Sequence, residues 1–168
     1  EVEAVIKATC EGKNTKYITS SFASIKVHEE HLSMQKFSYK AYHNLSLPLI
    51  GEHQRKNATV ALEVITQLRE QGYTITEDMV KRGLFQVGWP GRFEILAKKP
   101  LVILDGGHNE QCMDEVVKVL DKYVPDKKVI FVFGVMADKN YKGMIKKLLP
   151  VAKQFYTVKP NNDRALDA

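Results

Sequence analysis

Two cysteines are all the chain has, Cys10 and Cys112, and they lie far apart with no third partner. That excludes a disulfide framework and reads as a reduced, cytosolic protein. No apolar run approaches the roughly 20 residues that span a bilayer. Glu1-Val2-Glu3-Ala4 has neither the basic nor the apolar region of a signal peptide. No membrane partner is therefore expected. A phosphate loop is also missing. Gly12-Lys13 is a decoy, because Lys7 stands where that motif needs its first glycine and Asn14 where it needs Ser or Thr. No metal-ligand set is evident either. His28-Glu29-Glu30-His31 spaces its histidines three apart, whereas the zinc helix motif needs four, and it reads as a polar surface turn. The chain is basic, with 25 Lys+Arg against 20 Asp+Glu and an isoelectric point near 9.1. The charges are interleaved, with no focused patch and no aromatic stacking platform, so no nucleic-acid partner is expected.

What is present is enough for a core. The 168 residues allow one domain or two small ones, and 44% hydrophobic against 27% charged residues excludes wholesale disorder. The first 50 residues look β-rich, with strands predicted over Lys16 to Ile25 and Met34 to Tyr42. After the apolar run Leu47 to Ile50 and Gly51, a helical period places Ala58, Ala61, Val64, Ile65 and Leu68 on one face, with Gly72 as C-cap. A second helix is predicted over Thr76 to Phe85, with Thr76 as N-cap and Met79, Val80 and Leu84 inward. Gly88-Trp89-Pro90-Gly91 breaks the chain and is the best linker candidate.

Beyond it, Leu101 to Leu104 reads as a strand buried on both faces. A helix over Glu110 to Tyr123, a strand over Lys128 to Phe133, a helix over Tyr141 to Leu149 and a strand over Gln154 to Val158 follow. This β-α-β-α-β order implies an α/β fold with a parallel sheet and right-handed crossovers. Three strands are few for such a sheet, so the chain looks cut in mid-fold.

Ligands of open parallel sheets sit beyond the carboxyl ends of the strands. The first predicted strand runs into Asp105-Gly106-Gly107-His108-Asn109 and then a helix, a backbone suited to close approach by an anion. Asp105 is suited to accept from hydroxyls, and His108 and Asn109 to donate. A tight turn with Asn109 as N-cap explains the same residues. Phe133-Gly134 to Asp138-Lys139 is a second polar loop on that edge. His53, Gln54 and Asn57 fall near the start of a helix, where Asn57 is equally suited to capping. Arg92 follows the Pro-Gly hinge, placed either to clamp a phosphate between domains or to form an interdomain salt bridge.

Three segments in this order, Leu49-Ile50-Gly51-Glu52-His53-Gln54-Arg55-Lys56-Asn57-Ala58, Trp89-Pro90-Gly91-Arg92-Phe93-Glu94 and Leu104-Asp105-Gly106-Gly107-His108-Asn109, resemble the folylpolyglutamate synthase and dihydrofolate synthase family, within the wider Mur ligase group. The Phe133-Gly134 to Asp138-Lys139 loop and Thr157-Val158-Lys159-Pro160 with Arg164-Ala165 are similar to that family too. The resemblance covers about residues 45 to 168. It implies the end of a Mur-ligase-type central ATPase domain over 1–88, a linker at 89–92, and a partial, truncated Rossmann-like C-terminal ligase domain over 93–168.

The implied chemistry is ATP-dependent: an acyl phosphate forms on a folate or dihydropteroate carboxylate, and the amine of L-glutamate attacks it. Asn57 would contact the adenine, Arg92 the phosphates and Asp105 the ribose side, with His53 and Gln54 shaping the nucleotide pocket. His108 would act at the reacting centre, and His108 and Asn109 would face the incoming amino acid. The resemblance also implies Mg2+, with ligands upstream of this chain, and a full-length enzyme that is monomeric. Gly107 departs from the family's usual alanine, a small loosening of the turn. Without a phosphate loop the chain is expected to be inactive alone and to bind ATP weakly or not at all. A cell-wall ligase is disfavoured because that branch more often has Asn where Gln54 stands. A non-catalytic nucleotide-binding or interaction module is the reading from a different class.

Overall fold

The computed structural model describes residues 2–167. Helix α1 (Val2–Gly12) leads to a three-stranded antiparallel sheet in the order β1 (Ile25–His31), β2 (Met34–Tyr39), β3 (Tyr42–Leu47). Helices α2 (Glu52–Glu70) and α3 (Glu77–Gln86) follow, then the hairpin β4 (Glu94–Lys98) and β5 (Leu101–Leu104). Helix α4 (Glu110–Tyr123), strand β6 (Val129–Phe133), helix α5 (Tyr141–Leu148) and strand β7 (Ala152–Thr157) complete the order, with β6 and β7 parallel.

Local chemistry explains where the helices stop and start. Thr76 caps α3 by accepting from the Met79 N–H at 3.2 Å. Gly72, at φ +94°, ends α2 in a Schellman arrangement. There the Tyr73 N–H donates to Leu68 O at 3.1 Å and the Gly72 N–H to Arg69 O at 3.0 Å. The buried stripe of α2 is rotated from the predicted one. Ala58, Thr59 and Leu62 face the sheet, while Val64 is exposed. On α3, Val80 is buried as predicted but Met79 is not.

Four other expectations are overturned. The chain begins with a helix rather than β structure, and α1 buries none of its residues. The strand predicted over Lys16 to Ile25 is displaced, because β1 starts only at Ile25. His28-Glu29-Glu30-His31 is therefore strand, and the turn is Leu32-Ser33. Strand β1 is an edge with four consecutive exposed residues, so it lacks the apolar alternation that marks a strand in sequence. Finally, β5 is not buried on both faces. It pairs antiparallel with β4, a strand without a clear signal in the sequence, and not with β6.

The first core lies between the antiparallel sheet and α2–α3, centred on Phe37, Tyr39, Leu45, Leu47 and Leu62. A second joins the two halves of the chain: Ile50, with Leu32 against it, packs on Phe93, Val119, Leu120 and Val151. A third holds α4 and α5 against β6–β7 through Met113, Val135, Met144 and Leu148. A polar network crosses the same junction. Glu30 of β1 accepts from the buried Arg55 of α2 and from Lys122 of α4, and Arg55 also donates to Gln35.

Candidate functional site at the junction

Beside this junction lies a cleft of about 300 Å³ whose walls include His53, Gln54, Asn57, Trp89, Arg92 and Asp105. Its far wall is the inner face of α4, with Gln111, Cys112, Glu115, Val116 and Val119. Five predicted site residues thus meet around one cavity from three separate segments. The other two do not line it. Asn109 caps α4, its side-chain oxygen accepting from the Cys112 N–H at 2.8 Å. His108 is exposed on the loop, its Nδ1 3.3 Å from Gly106 O.

Each segment is held by its own backbone logic. Trp89-Pro90-Gly91-Arg92 forms a tight turn in which the Arg92 N–H donates to Trp89 O at 3.2 Å. Proline at the second position and Gly91 at φ +71° in the third are the residues a type II turn asks for. The linker predicted at 88–91 is therefore an ordered turn. It is joined to the next segment by the Gly106 N–H, which donates to Gly91 O at 2.7 Å. Asp105 ties the two together. Its Oδ2 accepts from the Phe93 N–H at 2.9 Å and its Oδ1 from the Gly107 N–H at 2.7 Å. A carboxylate has about four acceptor positions, so Asp105 organises the loop and keeps lone pairs for a ligand hydroxyl.

On the α2 side, Gly51 at φ +106° turns the chain into the helix. Asn57 therefore lies in the second turn of α2, not at its cap. Its amide donates to Gln54 Oε1 at 3.3 Å. His53 Nδ1 is 3.2 Å from Glu115 Oε2 across the cleft, outside hydrogen-bond geometry. The Arg92 guanidinium carbon lies 5.9 Å from the centre of the Trp89 ring. Trp89, Cys112 and Glu115 also line the cleft, beyond the residues expected from the sequence. The spacing of 112, 115, 116 and 119 on α4 is the i, i+3, i+4, i+7 signal that marks one helix face.

Gly107 is not a loosening. A Cβ there would come within 2.9 Å of the Cys112 Cβ on α4 and 2.8 Å of Asp105 Oδ1 and Met113 Cε. Gly107→Ala is expected to cost about 1–3 kcal/mol by overpacking, read as a lower urea midpoint. An unchanged midpoint would show that this loop is not seated on α4.

The second sheet-edge loop meets the tail of the chain. Arg164 donates to Asp138 at 2.8 Å, and the Ala137 N–H donates to Arg164 O at 2.7 Å. The Arg164 hydrogen bond is the main cause holding the Asp138 carboxyl below its ordinary value. This pairing lies outside the cleft. Among the described residues no group of three or more His, Cys, Asp or Glu side chains is arranged to hold a metal. No described helix is long and apolar enough to cross a membrane.

Residues 91–168 match the family described as Mur ligase, glutamate ligase domain. The chain is 32% identical over 123 residues to the dihydrofolate synthase/folylpolyglutamate synthase of Bacillus subtilis, spanning 70% of this chain and 29% of that protein. It is 37% identical over 122 residues to a probable bifunctional folylpolyglutamate synthase/dihydropteroate synthase of Halobacterium salinarum, spanning 73% of this chain and 14% of that one. The solved structure of Mycobacterium tuberculosis folylpolyglutamate synthase complexed with ADP superposes with a TM-score of 0.86 at 25% identity, covering 99% of this chain and 38% of that one. Fold and match together define a Mur-type ligase domain at the C-terminal side. The chain belongs to the folylpolyglutamate synthase/dihydrofolate synthase family, and it spans well under half the length of these relatives.

Proposed function

We propose that the chain is the domain-junction segment of an ATP-dependent ligase that joins L-glutamate to the glutamyl carboxylate of a folate, with dihydropteroate as a second acceptor. The observation that carries this reading is the gathering of His53, Gln54, Asn57, Arg92 and Asp105 around one cleft. In it, residues 1–88 are the end of the ATPase domain, 89–92 the linker and 93–168 the start of the ligase domain.

The γ-phosphoryl group passes to the acceptor carboxylate, making an acyl phosphate. The glutamate amine then attacks the acyl carbon, and phosphate leaves with the amide formed. Asn57 and Gln54 read the adenine edge, Asp105 accepts from the ribose, and Arg92 offers its planar donor fork to the phosphates. His108, exposed on its loop, faces the incoming amino acid and the reacting acyl phosphate. Asn109 supports that loop by capping α4 rather than by binding substrate. Lining the site from three segments means that it is complete only when they are packed together, which orients the reactants and excludes water. Mg2+ would be held by residues upstream of this chain, as the resemblance to the family implies. The full-length enzyme is read as a cytoplasmic monomer, and the present chain as a weak nucleotide binder without turnover.

The test is ATP- and glutamate-dependent phosphate release with a folate acceptor. It is run on the chain alone and on a polypeptide carrying the family's upstream ATPase segment in front of it. Release is expected only from the longer polypeptide. Arg92→Ala there is expected to lower it about 10- to 100-fold, the scale of a lost hydrogen-bonded charge contact. Undiminished release in that variant would contradict the assignment.

A further inference from the structure

We propose that Trp89 is the aromatic plate on which the nucleobase stacks, so that one turn supplies both halves of nucleotide recognition: Trp89 for the base and Arg92 for the phosphates. This inference rests on the nucleotide reading above. Trp89 is the single tryptophan of the chain, and 62% of its surface is exposed. Indole rings are ordinarily well covered in a folded protein. This one joins none of the three cores and instead forms part of the cleft wall.

The turn explains why a flat ring is held there. Pro90 and Gly91 fold the chain so tightly that the first and fourth residues emerge side by side, and the Arg92 guanidinium already lies 5.9 Å from the indole centre. Two further bonds hold the turn: the Gly91 N–H to Glu94 Oε2 at 2.8 Å, and the Gly106 N–H to Gly91 O at 2.7 Å. A rigid aromatic face costs little conformational entropy to use. A cation beside the ring is also well placed to turn onto a phosphate. Stacking is tolerant of base identity because every base has a π face. The choice of edge then falls to the Asn57 and Gln54 amides, which offer donors and acceptors across the cleft. The class of ligand is therefore a purine nucleoside polyphosphate, the purine giving the larger stacked area.

Because Trp89 is the only tryptophan, its emission reports on this residue alone. The chain is titrated with ADP and with tripolyphosphate, following indole fluorescence and, in parallel, 31P line broadening as the measure of binding. ADP is expected to quench the emission saturably, and tripolyphosphate to quench far less at equal occupancy. Trp89→Ala is expected to weaken ADP binding about tenfold and to leave tripolyphosphate within about twofold, while Trp89→Phe keeps most of the ADP affinity. Circular dichroism checks that both variants fold. ADP binding without quenching, or equal weakening of both ligands in Trp89→Ala, overturns this inference and leaves the nucleotide reading intact. Absence of ADP binding at millimolar concentration overturns both.

Discussion

Glu30→Ala is expected to destabilise the chain by about 3–5 kcal/mol, because it strips the counter-charge from a buried guanidinium. Arg55 is only 7% exposed, and its Nε already has no hydrogen-bond partner. With Glu30 gone, the neutral Gln35 oxygen is the remaining acceptor from the network. Lys122 shares the same carboxylate but is about half exposed. Lys122→Ala is therefore expected to cost no more than about 1 kcal/mol, as solvent-screened pairs do. Burial alone pushes the Glu30 carboxyl up. The hydrogen bonds and charges of Lys122 and Arg55 outweigh it and hold the group below its ordinary value. A carboxylate so depressed stabilises the fold above the ordinary range of about 4.3. That stabilisation fades as pH falls through the lowered folded value. Urea midpoints measured from pH 7 downward should show the gap between native chain and Glu30→Ala closing below about pH 4. A gap that is small at pH 7, or that widens in acid, would mean that Arg55 is not dependent on this partner.

Phe37→Ala is expected to cost about 3–5 kcal/mol, as large-to-small changes in closed cores do. Phe37 is fully buried at the middle of β2, between Val27 on β1 and Leu45 on β3. Its cluster includes Leu62 of α2, so the cavity would open under the helix that carries His53, Gln54 and Asn57. The cleft wall should soften with it. Val132→Ala serves as the contrast. Val132 is on β6 but 70% exposed, and a change there should stay within about 0.5 kcal/mol. Equal losses in the two variants would show that the burial pattern does not set the stability of this chain.

Where a local signal and a tertiary contact coincide, the chain is readable by eye. Thr76 and Asn109 cap helices because each is followed by an amphipathic run, and Gly72 ends α2 because only a residue content with positive φ fits. The elements that escape are those whose environment is not local. Strand β1 is an exposed edge rich in charge, so His28-Glu29-Glu30-His31 resembles a turn until Met34–Tyr39 is found paired to it. Leu101–Leu104 is apolar enough for a strand buried on both faces. Its neighbour is set by the hairpin with β4, which no periodicity in β5 itself reveals.

The site divides in the same way. His53, Gln54, Asn57, Arg92 and Asp105 carry polar chemistry at turns and sheet ends, and they converge. His108 and Asn109 carry similar chemistry, yet the cap on α4 directs Asn109 into backbone work. Trp89, Cys112 and Glu115 enter the cleft through packing of the turn against α4, which is visible only once both are folded.

The most direct test of a nucleotide site at this junction is an ADP titration of the isotopically labelled chain, read by amide chemical shifts. Saturable shifts are expected at millimolar ADP in three places: His53 to Asn57, Trp89 to Phe93, and Asp105 through the first turn of α4. Shifts centred instead on the groove between β3 and α3, at Asn44, Lys81 and Arg82, would contradict a site at this junction, as would the absence of any saturable change.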